Sequence, residues 1–194
     1  MSFHYSRNHP WILQNFNLII RGPEKIVISG SNGSGKTTLL KLIQQTLVPQ
    51  NGMIKVNIVN NYLDQKLEML KQEMSALDNY KNLNPKVTDN EARKNLASFL
   101  FRNETVLQKV KNLSCGEKLR VALASILLSA KPPELLMLDE PTNHLDWENL
   151  ACLEAILKNY KGALIIISHD RIFLDRLQKA LVLRFSNINL GFTP

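Results

Sequence analysis

Three separated segments of the sequence carry residue types that bind phosphate groups. The first follows the pattern G-x-x-x-x-G-K-[ST], with a second threonine directly after it, and consists of Gly30, Ser31, Asn32, Gly33, Ser34, Gly35, Lys36, Thr37 and Thr38. In such a loop, glycines let the backbone approach closely, and successive N–H groups and the following helix N-terminus face the phosphate oxygens. Lys36 is expected to reach the β- and γ-phosphates of a nucleoside triphosphate, and Thr37 to ligate Mg²⁺. A glycine-rich turn before a helix is the alternative interpretation.

The second segment is a pair of carboxylates after a short apolar run. Asp139 and Glu140 follow residues 135–138 directly. A buried strand would place them at the edge where α/β sheets bind ligands. There Asp139 would hold Mg²⁺ through its water shell, and Glu140 is the candidate general base that faces the attacking water. An apolar run ending in Asp-Glu is common by itself, and it becomes informative because the phosphate loop accompanies it.

The third segment consists of Ser114, Cys115, Gly116 and Glu117. Ser114 and Glu117 fit a capping box, so the segment could simply begin a helix. The same arrangement aims free N–H groups and a serine hydroxyl at an anion. The two interpretations are compatible, and the second implies that a complete phosphate site needs two such domains.

Three further residues are candidates on weaker signals. His169 follows a second apolar run and could contact a γ-phosphate, although a lone histidine usually has no such role. Gln65 could respond to Mg²⁺ occupancy at the entrance of a helical region, or be a surface amide. Tyr5 could stack on an adenine base. Phe3 and Trp11 compete for that role, and each of the three aromatics could instead belong to the core.

The elements that must position these residues alternate between strands and helices. Strands are predicted at 16–20, 25–29, 54–60, 135–138, 163–168 and 180–184, and helices at 37–47, 88–101, 114–128, 147–160 and 171–179. The runs at 135–138 and 163–168 are continuously apolar, which is typical of central parallel strands. The pattern predicts an α/β core, about 1–65 and 130–194, with a helical subdomain inserted at about 66–129. Together they form one domain over residues 1–194.

Composition limits the classes of protein to consider. The chain has 194 residues, of which 44% are hydrophobic and 21% charged, as in an ordinary globular domain. Its two cysteines form no disulfide framework, no signal peptide is visible, and the longest apolar runs are far below the ~18 residues that span a bilayer. The net charge of +7 includes a basic cluster between Lys86 and Arg120. That cluster could be a solvated helical face or a surface that docks onto RNA phosphates.

Taken together, these segments resemble the ATP-binding cassette (ABC) domains over nearly the whole chain. Residues 30–37 resemble Walker A, Gln65 the Q-loop glutamine, 113–117 the L-S-G-G-Q signature, 135–140 Walker B, 145–146 the D-loop and His169 the switch histidine. The string E-P-T-N-H-L-D at 140–146 is typical of the ABC-F branch, and the strings at 62–65, 116–124 and 169–175 are similar to that branch too. Cys115 stands where the signature has its first glycine, a position that often varies.

The resemblance implies a P-loop NTPase (RecA-like) core with a mainly parallel sheet, an antiparallel β edge and an inserted α-helical subdomain. It implies that ATP with Mg²⁺ binds at residues 30–38, Tyr5, Gln65 and Asp139. A second cassette, paired head to tail, would offer its residues 114–117 to the γ-phosphate, while Glu140 activates water and His169 holds the γ-phosphate. ABC-F proteins are cytoplasmic ATPases without transmembrane segments that act on the ribosome, in translation or antibiotic resistance. They usually carry two cassettes, and this chain is most like the C-terminal one.

Two other functions share parts of this pattern. The nucleotide-binding subunit of a membrane transporter uses the same ATPase chemistry, although the Asn143-His144 string favours the ABC-F branch. A binding module that retains ATP without hydrolysing it, and serves as a scaffold, is the third possibility. Every catalytic position of the pattern is present, which favours hydrolysis.

Overall fold

The structure is a computed structural model that describes residues 1–6, 10–101, 103–177, 181–185 and 190–193. It divides into two units, each with its own packing. The first, called here the sheet unit, comprises residues 1–62, 134–141 and 161–194. The second, the helical unit, comprises residues 63–133 and 142–160. The single-domain organisation with a subdomain at about 66–129 stays a prediction.

A six-stranded sheet organises the sheet unit. Its strands are β1 (Lys25–Gly30), β2 (Asn60–Leu63), β3 (Leu135–Asp139), β4 (Ala163–Ile167), β5 (Leu181–Phe185) and β6 (Leu190–Thr193). They lie in the order β2-β3-β4-β1-β5-β6. β1 pairs in parallel with both β4 and β5, and β3 pairs in parallel with β4, whereas β6 is antiparallel to β5 at the edge. The predicted α/β fold, mainly parallel with an antiparallel edge, is confirmed.

The register of the sheet brings three strand ends together. Asp139 at the end of β3 lies opposite Ile167 at the end of β4, and Gly30 ends β1, which pairs with β4 on the other side. Every residue of β3 and β4 is buried, as their continuously apolar sequences predict. The carboxyl ends of parallel strands meet at one sheet edge, so the residues that follow β1, β3 and β4 converge there.

Two predicted strands are wrong. Residues 16–20 form no strand, and of 54–60 only the last residue does, because β2 begins at Asn60. Phe16, Leu18, Ile20, Ile54 and Val56 nevertheless pack on the hydrophobic core of the sheet unit. Their alternation reflects burial of one face of the chain and not pairing in a sheet.

The helices of the sheet unit are shorter than predicted. α1 (Lys36–Ile43) follows the phosphate loop and ends earlier than the predicted residue 47, since Gln45 adopts a left-handed backbone (φ 62°) that stops helical pairing. The last helix, Arg171–Arg176, begins as predicted. The end of that prediction, at 178–179, lies outside the described residues, as does residue 180 of the last predicted strand.

Four helices organise the helical unit: α2 (Ala76–Leu83), α3 (Asp89–Ser98), α4 (Cys115–Leu127) and α5 (Trp147–Asn159). The helix Arg171–Arg176 of the sheet unit is numbered α6. The predicted capping box of Ser114 with Glu117 on α4 is confirmed, and Thr88 forms the same motif with Glu91 at the start of α3. The fully buried Tyr80 ties α2 to the end of α4 by donating to the carbonyl of Leu128 at 3.2 Å. Over the residues that the structure describes, no helix is long and apolar enough to cross a bilayer.

Candidate nucleotide-binding site

The glycine-rich loop connects β1 to α1 in a conformation that only glycine allows at two points. A Cβ atom on Gly30 would lie 2.3 Å from the carbonyl oxygen of Phe185 on β5. Gly35 caps α1 with a left-handed backbone (φ 96°), and a Cβ there would lie 2.5 Å from Ile12. The loop therefore packs tightly against its surroundings at both glycines and leads directly into the N-terminus of α1, whose free N–H groups can bind an anion.

Lys36 is a buried cation at this loop. Its side chain is folded back, so that Nζ donates to the carbonyl oxygens of Gly30 at 2.7 Å and Ser31 at 2.9 Å. The residue is only 8% exposed, and within the described part of the chain no carboxylate lies at ion-pair distance from its Nζ. The hydroxyl of Ser34 in the same loop is buried and has no hydrogen-bond partner among the described residues. Buried charges and hydroxyls are normally paired, so both groups fit an anionic ligand.

Thr37 and Asp139 meet beside the loop. The Thr37 hydroxyl donates to Oδ2 of Asp139 at 2.8 Å, and the hydroxyl of Tyr62 donates to the same oxygen at 3.0 Å. A hydroxyl and a carboxylate are oxygen ligands that suit Mg²⁺, which usually takes one or two protein oxygens and completes its shell with phosphate oxygens and water. The described residues contain no cluster of three or more His, Cys, Asp or Glu side chains that could hold a metal alone. The pair therefore fits a metal that arrives with a phosphate ligand.

Glu140 and His169 form the next pair along the edge. Nε2 of His169 lies 3.3 Å from Oε1 of Glu140, and the Glu140 N–H donates to the carbonyl of Ile167 at 2.8 Å. Burial raises the pKa of the Glu140 carboxyl above its usual range, and the neighbouring Asp139 adds to this, while His169 and Lys36 partly offset it. Glu140 has a left-handed backbone (φ 49°), which costs a non-glycine residue about 1–2 kcal/mol. A strained carboxylate with a raised pKa at a ligand-binding sheet edge has the properties of a general base.

The three candidate aromatics differ in exposure. Phe3 is 4% exposed and belongs to the core, so it is not available to stack on a base. Trp11 is partly exposed and meets the ring of His4 edge-on, with centroids 4.6 Å apart. Tyr5 is 59% exposed, and its hydroxyl shares a hydrogen bond of 2.9 Å with the hydroxyl of Thr38 on α1. This places Tyr5 next to the phosphate loop with most of its ring accessible.

The segment of Ser114 to Glu117 lies in the helical unit. Ser114 is the N-cap of α4: its Oγ accepts from the Glu117 N–H at 3.3 Å, and its own N–H donates to the Glu117 carboxylate at 2.8 Å. Ser114 and Cys115 are exposed, whereas Gly116 is buried against Asn149. A Cβ on Gly116 would lie 2.2 Å from Cγ of that asparagine. The two glycines of the L-S-G-G-Q signature correspond to Cys115 and Gly116. The cysteine stands at the exposed one of these two positions, where a side chain can extend into solvent.

The structure brings most of the predicted site residues together in one unit. Lys36, Thr37, Asp139, Glu140 and His169 converge at the carboxyl end of β1, β3 and β4. Gln65 and the Ser114 segment belong to the helical unit, where Gln65 is exposed. The participation of these two in the site stays a prediction.

Sequence reasoning did not identify two residues that hold these groups in place. Tyr62 belongs to the string at 62–65, but its contact with Asp139 depends on β2 lying beside β3, which the sequence does not show. Asn149 holds both carboxylate oxygens of Asp146 at 2.9 Å while it packs on Gly116. Its spacing after Asp146 is that of a helix cap, which was a usable signal.

A cavity of about 440 Å³ lies elsewhere in the sheet unit. It is lined mainly by apolar side chains of residues 16–22 and 53–58, together with Leu39 and Ile43 of α1. None of the predicted site residues lines it. The candidate site is thus a sheet edge and not this cavity.

Comparison with known proteins decides the family. The sequence model of the ABC transporter family matches residues 13–143, which include the phosphate loop, the Ser114 segment and Asp139 with Glu140. The chain belongs to the ABC transporter family.

Individual relatives place this ABC domain more closely. It is 39% identical over 172 residues to the putative ATP-binding protein YdiF of Bacillus subtilis, and the matched region covers 88% of this chain and 26% of YdiF. It is 40% identical over 170 residues to the ATP-binding protein Uup of Haemophilus influenzae, and this match covers 84% of this chain and 26% of Uup. It is 36% identical over 184 residues to the protein GCN20 of Saccharomyces cerevisiae, and this match covers 93% of this chain and 24% of GCN20. These relatives are of the ABC-F type, which confirms the resemblance to that branch. The chain spans about a quarter of their length.

A solved structure shares the fold of this ABC domain. It is described as a dimeric structure of a post-hydrolysis state of the ATP-binding cassette MJ0796 bound to ADP and Pi. The TM-score is 0.79 at 20% identity, with 98% of this chain and 94% of that chain covered. At this identity the likeness establishes the cassette fold alone.

Proposed function

We propose that this ABC domain binds ATP with Mg²⁺ and hydrolyses it to ADP and phosphate at a head-to-tail interface with a second cassette. The observation that carries the proposal is the buried ammonium group of Lys36, which has no carboxylate partner within the described residues and lies beside the Thr37–Asp139 pair. A buried cation without a counter-ion is costly, and a triphosphate would relieve that cost. We assign the whole of residues 1–194 to this one domain, with its core at about 1–65 and 130–194.

Binding requires Lys36 to change partners. Its ammonium group would leave the carbonyls of Gly30 and Ser31 for the β- and γ-phosphates, while the N–H groups of residues 31–38 donate to phosphate oxygens. Thr37 and Asp139, with Gln65, would hold Mg²⁺. The metal, when bound, neutralises charge on the β- and γ-phosphates. Tyr5, whose ring is exposed beside Thr38, would stack on the adenine.

Hydrolysis is assigned to Glu140 and His169. Glu140 would orient a water and take its proton as the water oxygen bonds to the γ-phosphorus and the bond to the β–γ bridging oxygen breaks. The proton then passes to the released phosphate. The raised pKa of the Glu140 carboxyl favours this role, since a base is most effective when its pKa is closer to the working pH. His169, next to Glu140, would donate to a γ-phosphate oxygen.

The second cassette would supply the Ser114 segment. Ser114 and Cys115 are exposed at the N-terminus of α4, where helix N–H groups attract anions. We propose that Ser114, Cys115, Gly116 and Glu117 of one cassette face the γ-phosphate held by the other. The dimeric state of the solved cassette that shares this fold supports the pairing. Loss of the γ-phosphate would then open the pair.

The hydrolysis cycle is tested with Glu140→Gln, which removes the base and leaves the phosphate loop intact. We expect it to bind ATP, to release phosphate about 10²–10⁴-fold more slowly than the parent chain, and to accumulate as a dimer. Light scattering with ATP measures the dimer, and steady-state phosphate release measures the rate. A Glu140→Gln variant that stays monomeric with ATP counts against the paired site. A parent chain that binds ATP and releases no phosphate supports the non-hydrolysing scaffold instead.

We further propose that the protein acts in the cytoplasm on the ribosome, in translation or antibiotic resistance. The ABC-F type of its relatives and its net charge of +7 support a polyanionic partner. The Glu140→Gln variant should co-sediment with ribosomes in ATP, less so in ADP, and progressively less as salt is raised. Lys36→Ala is the control that should not respond to ATP. Co-fractionation with membranes and not with ribosomes would support a transporter subunit.

A further inference from the structure

The carboxylate of Asp139 receives a hydrogen bond that none of the proposed roles accounts for. Tyr62 on β2 donates its phenolic hydroxyl to Oδ2 of Asp139 at 3.0 Å, and this is the oxygen that also accepts from Thr37 at 2.8 Å. β2 is the neighbour of β3 in the sheet, and the carbonyl of Val59 just before β2 accepts from the N–H groups of Glu134 and Leu135. The backbone that carries Tyr62 is therefore fixed relative to the strand that carries Asp139.

We infer that Tyr62 is a positioning residue that orients the Asp139 carboxylate for Mg²⁺ and so sets the affinity of the site for the metal. This inference rests on the proposed function. Residues that hydrogen-bond a metal-binding carboxylate fix its orientation, and their removal typically lowers metal affinity or activity about 10- to 100-fold. Tyr62 would act in this way through Asp139, without itself touching the metal or ATP.

The two residues that donate hydrogen bonds to Oδ2 of Asp139 have different proposed roles when the metal binds. Thr37 is a proposed ligand: its oxygen would coordinate the metal through a lone pair, and its proton can stay on Asp139. Tyr62 is not a ligand, and its bond can persist when the metal is bound. Thr37 and Tyr62 both donate to Oδ2 of Asp139, so Oδ1 is the oxygen that we expect to face the metal or its water shell. Without Tyr62, Oδ2 would keep only the donor that is itself a proposed metal ligand, and the carboxylate would be held less firmly in its orientation.

Tyr62→Phe is the sharpest test, because it removes the hydroxyl and keeps the ring. Nucleotide affinity is measured with a fluorescent ATP analogue, first in EDTA and then across a Mg²⁺ titration. We expect the affinity in EDTA to stay the same and the Mg²⁺ midpoint to rise about 10-fold. Direct titration with Mn²⁺, followed by its electron paramagnetic resonance signal in the presence of the analogue, should show the same weakening of metal affinity without any turnover.

Tyr80→Phe is the matched control. Tyr80 also donates a buried hydroxyl hydrogen bond, to Leu128, but it lies in the helical unit and is no part of the proposed site. Its loss should lower the melting temperature and leave the Mg²⁺ midpoint where the parent chain has it. A purely structural Tyr62 would behave like this control, so an unchanged midpoint in Tyr62→Phe would overturn the inference.

A double substitution makes the test independent of folding effects. In the Asp139→Asn background the carboxylate is gone, so adding Tyr62→Phe should not move the Mg²⁺ midpoint further. An additional shift of about 10-fold would mean that Tyr62 acts by another route and would overturn the inference. A parent chain whose nucleotide affinity does not depend on Mg²⁺ would overturn the proposed metal site itself, an outcome distinct from failure of Tyr62 alone.

Discussion

The hydrogen bonds around Asp139 join residues that are distant in sequence, whereas those around Ser114 stay within one helical turn. Thr37 lies 102 residues from Asp139 and Tyr62 lies 77 residues from it. Ser114 and Glu117, in contrast, are three residues apart and satisfy each other. The sheet unit builds its part of the site by strand register, and the helical unit presents a locally completed helix N-terminus.

This difference indicates what each region needs in order to work. At the sheet edge, Thr37 already contacts Asp139 and His169 contacts Glu140. The buried ammonium of Lys36 and the buried hydroxyl of Ser34 have no anionic partner within the described part of the chain. The Ser114 segment has its capping bonds made and its end exposed, so it needs an external ligand to acquire a function beyond helix capping. We therefore expect substitutions in the sheet unit to affect binding, and substitutions at Ser114 to affect what happens after binding.

Lys36→Ala should have the largest effect on ATP affinity. A hydrogen bond from a charged group is worth about 1.5–3 kcal/mol, so we expect ATP to bind about 10- to 100-fold more weakly. Fluorescence titration with an ATP analogue measures this. Ser114→Ala is the counterpart in the helical unit and should leave the ATP affinity of the monomer unchanged. Equal affinity in Lys36→Ala and the parent chain would refute the placement of the site.

Ser114→Ala should slow phosphate release in assembled cassettes by about 10-fold or more, because the transferred phosphoryl group loses a hydroxyl donor. It should also lower the free energy of unfolding by about 1 kcal/mol, since an N-cap is lost. Thr88→Ala separates the two effects, because Thr88 caps α3 with the same capping box and has no proposed phosphate role. It should reproduce the loss of stability and leave phosphate release unchanged. If Ser114→Ala also affects stability only, the segment is a helix cap and nothing more.

Gly116→Ala should destabilise the protein by about 1–3 kcal/mol, the usual cost of overpacking a buried position. The added methyl group would push on Asn149, which holds Asp146. The neighbouring Cys115→Ala is the control: Cys115 is exposed, so its substitution should change the free energy of unfolding by less than about 0.5 kcal/mol. Urea unfolding measures both. Equal stability of the two variants would show that the contact with Asn149 yields at no cost.

The smallest expected effect is a pH dependence of opposite sign in the two units. Burial raises the pKa of the Glu140 carboxyl, so the folded chain favours its protonated form, and this contribution to stability is lost as the pH rises through that raised pKa. In EDTA, Glu140→Gln should therefore melt at a higher temperature than the parent chain at pH 7. The gain should shrink as the pH falls towards 4.5, the ordinary value of glutamate.

Glu91 in the helical unit provides the opposite case. Hydrogen bonds from Thr88, chiefly from its backbone N–H, lower the pKa of the Glu91 carboxyl. Its contribution to stability is present above the ordinary pKa and is lost as the pH falls through the lowered one. Glu91→Gln should thus be less stable than the parent chain at pH 7, with the difference fading in acid. Melting curves in which both variants shift in the same direction would contradict this assignment.

Local patterns accounted for much of the fold. The capping boxes on α3 and α4 were predictable because each depends on residues three apart in one helix. The buried strands β3 and β4 were predictable because only a strand covered on both faces is apolar throughout. The strand predictions at 16–20 and 54–60 were wrong because apolar side chains there show only that one face of the chain is buried, whereas a strand also needs a hydrogen-bonded neighbour.

The candidate site likewise contains residues that the sequence predicts and contacts that only the structure shows. The loop from Gly30 to Thr37 and the Asp139–Glu140 pair could be named from the sequence, because each is a contiguous set of residue types with one known chemistry. The contact of Tyr62 with Asp139 and that of Asn149 with Gly116 could not. They depend on which strands are neighbours and on which helix faces pack, and no short stretch of residues encodes either.

The sequence by itself determined which groups this protein has for phosphate chemistry and which helices and central strands carry them, because motifs, caps and apolar runs are short-range properties of the chain. Only the tertiary structure decided that Thr37 and Tyr62 donate to one oxygen of Asp139, and that Glu140 lies next to His169. It also decided that Lys36 is buried with two backbone carbonyls, and with no carboxylate of the described residues, as its partners. The physical reason is that strand order and register set these distances, and both result from the packing of the whole sheet.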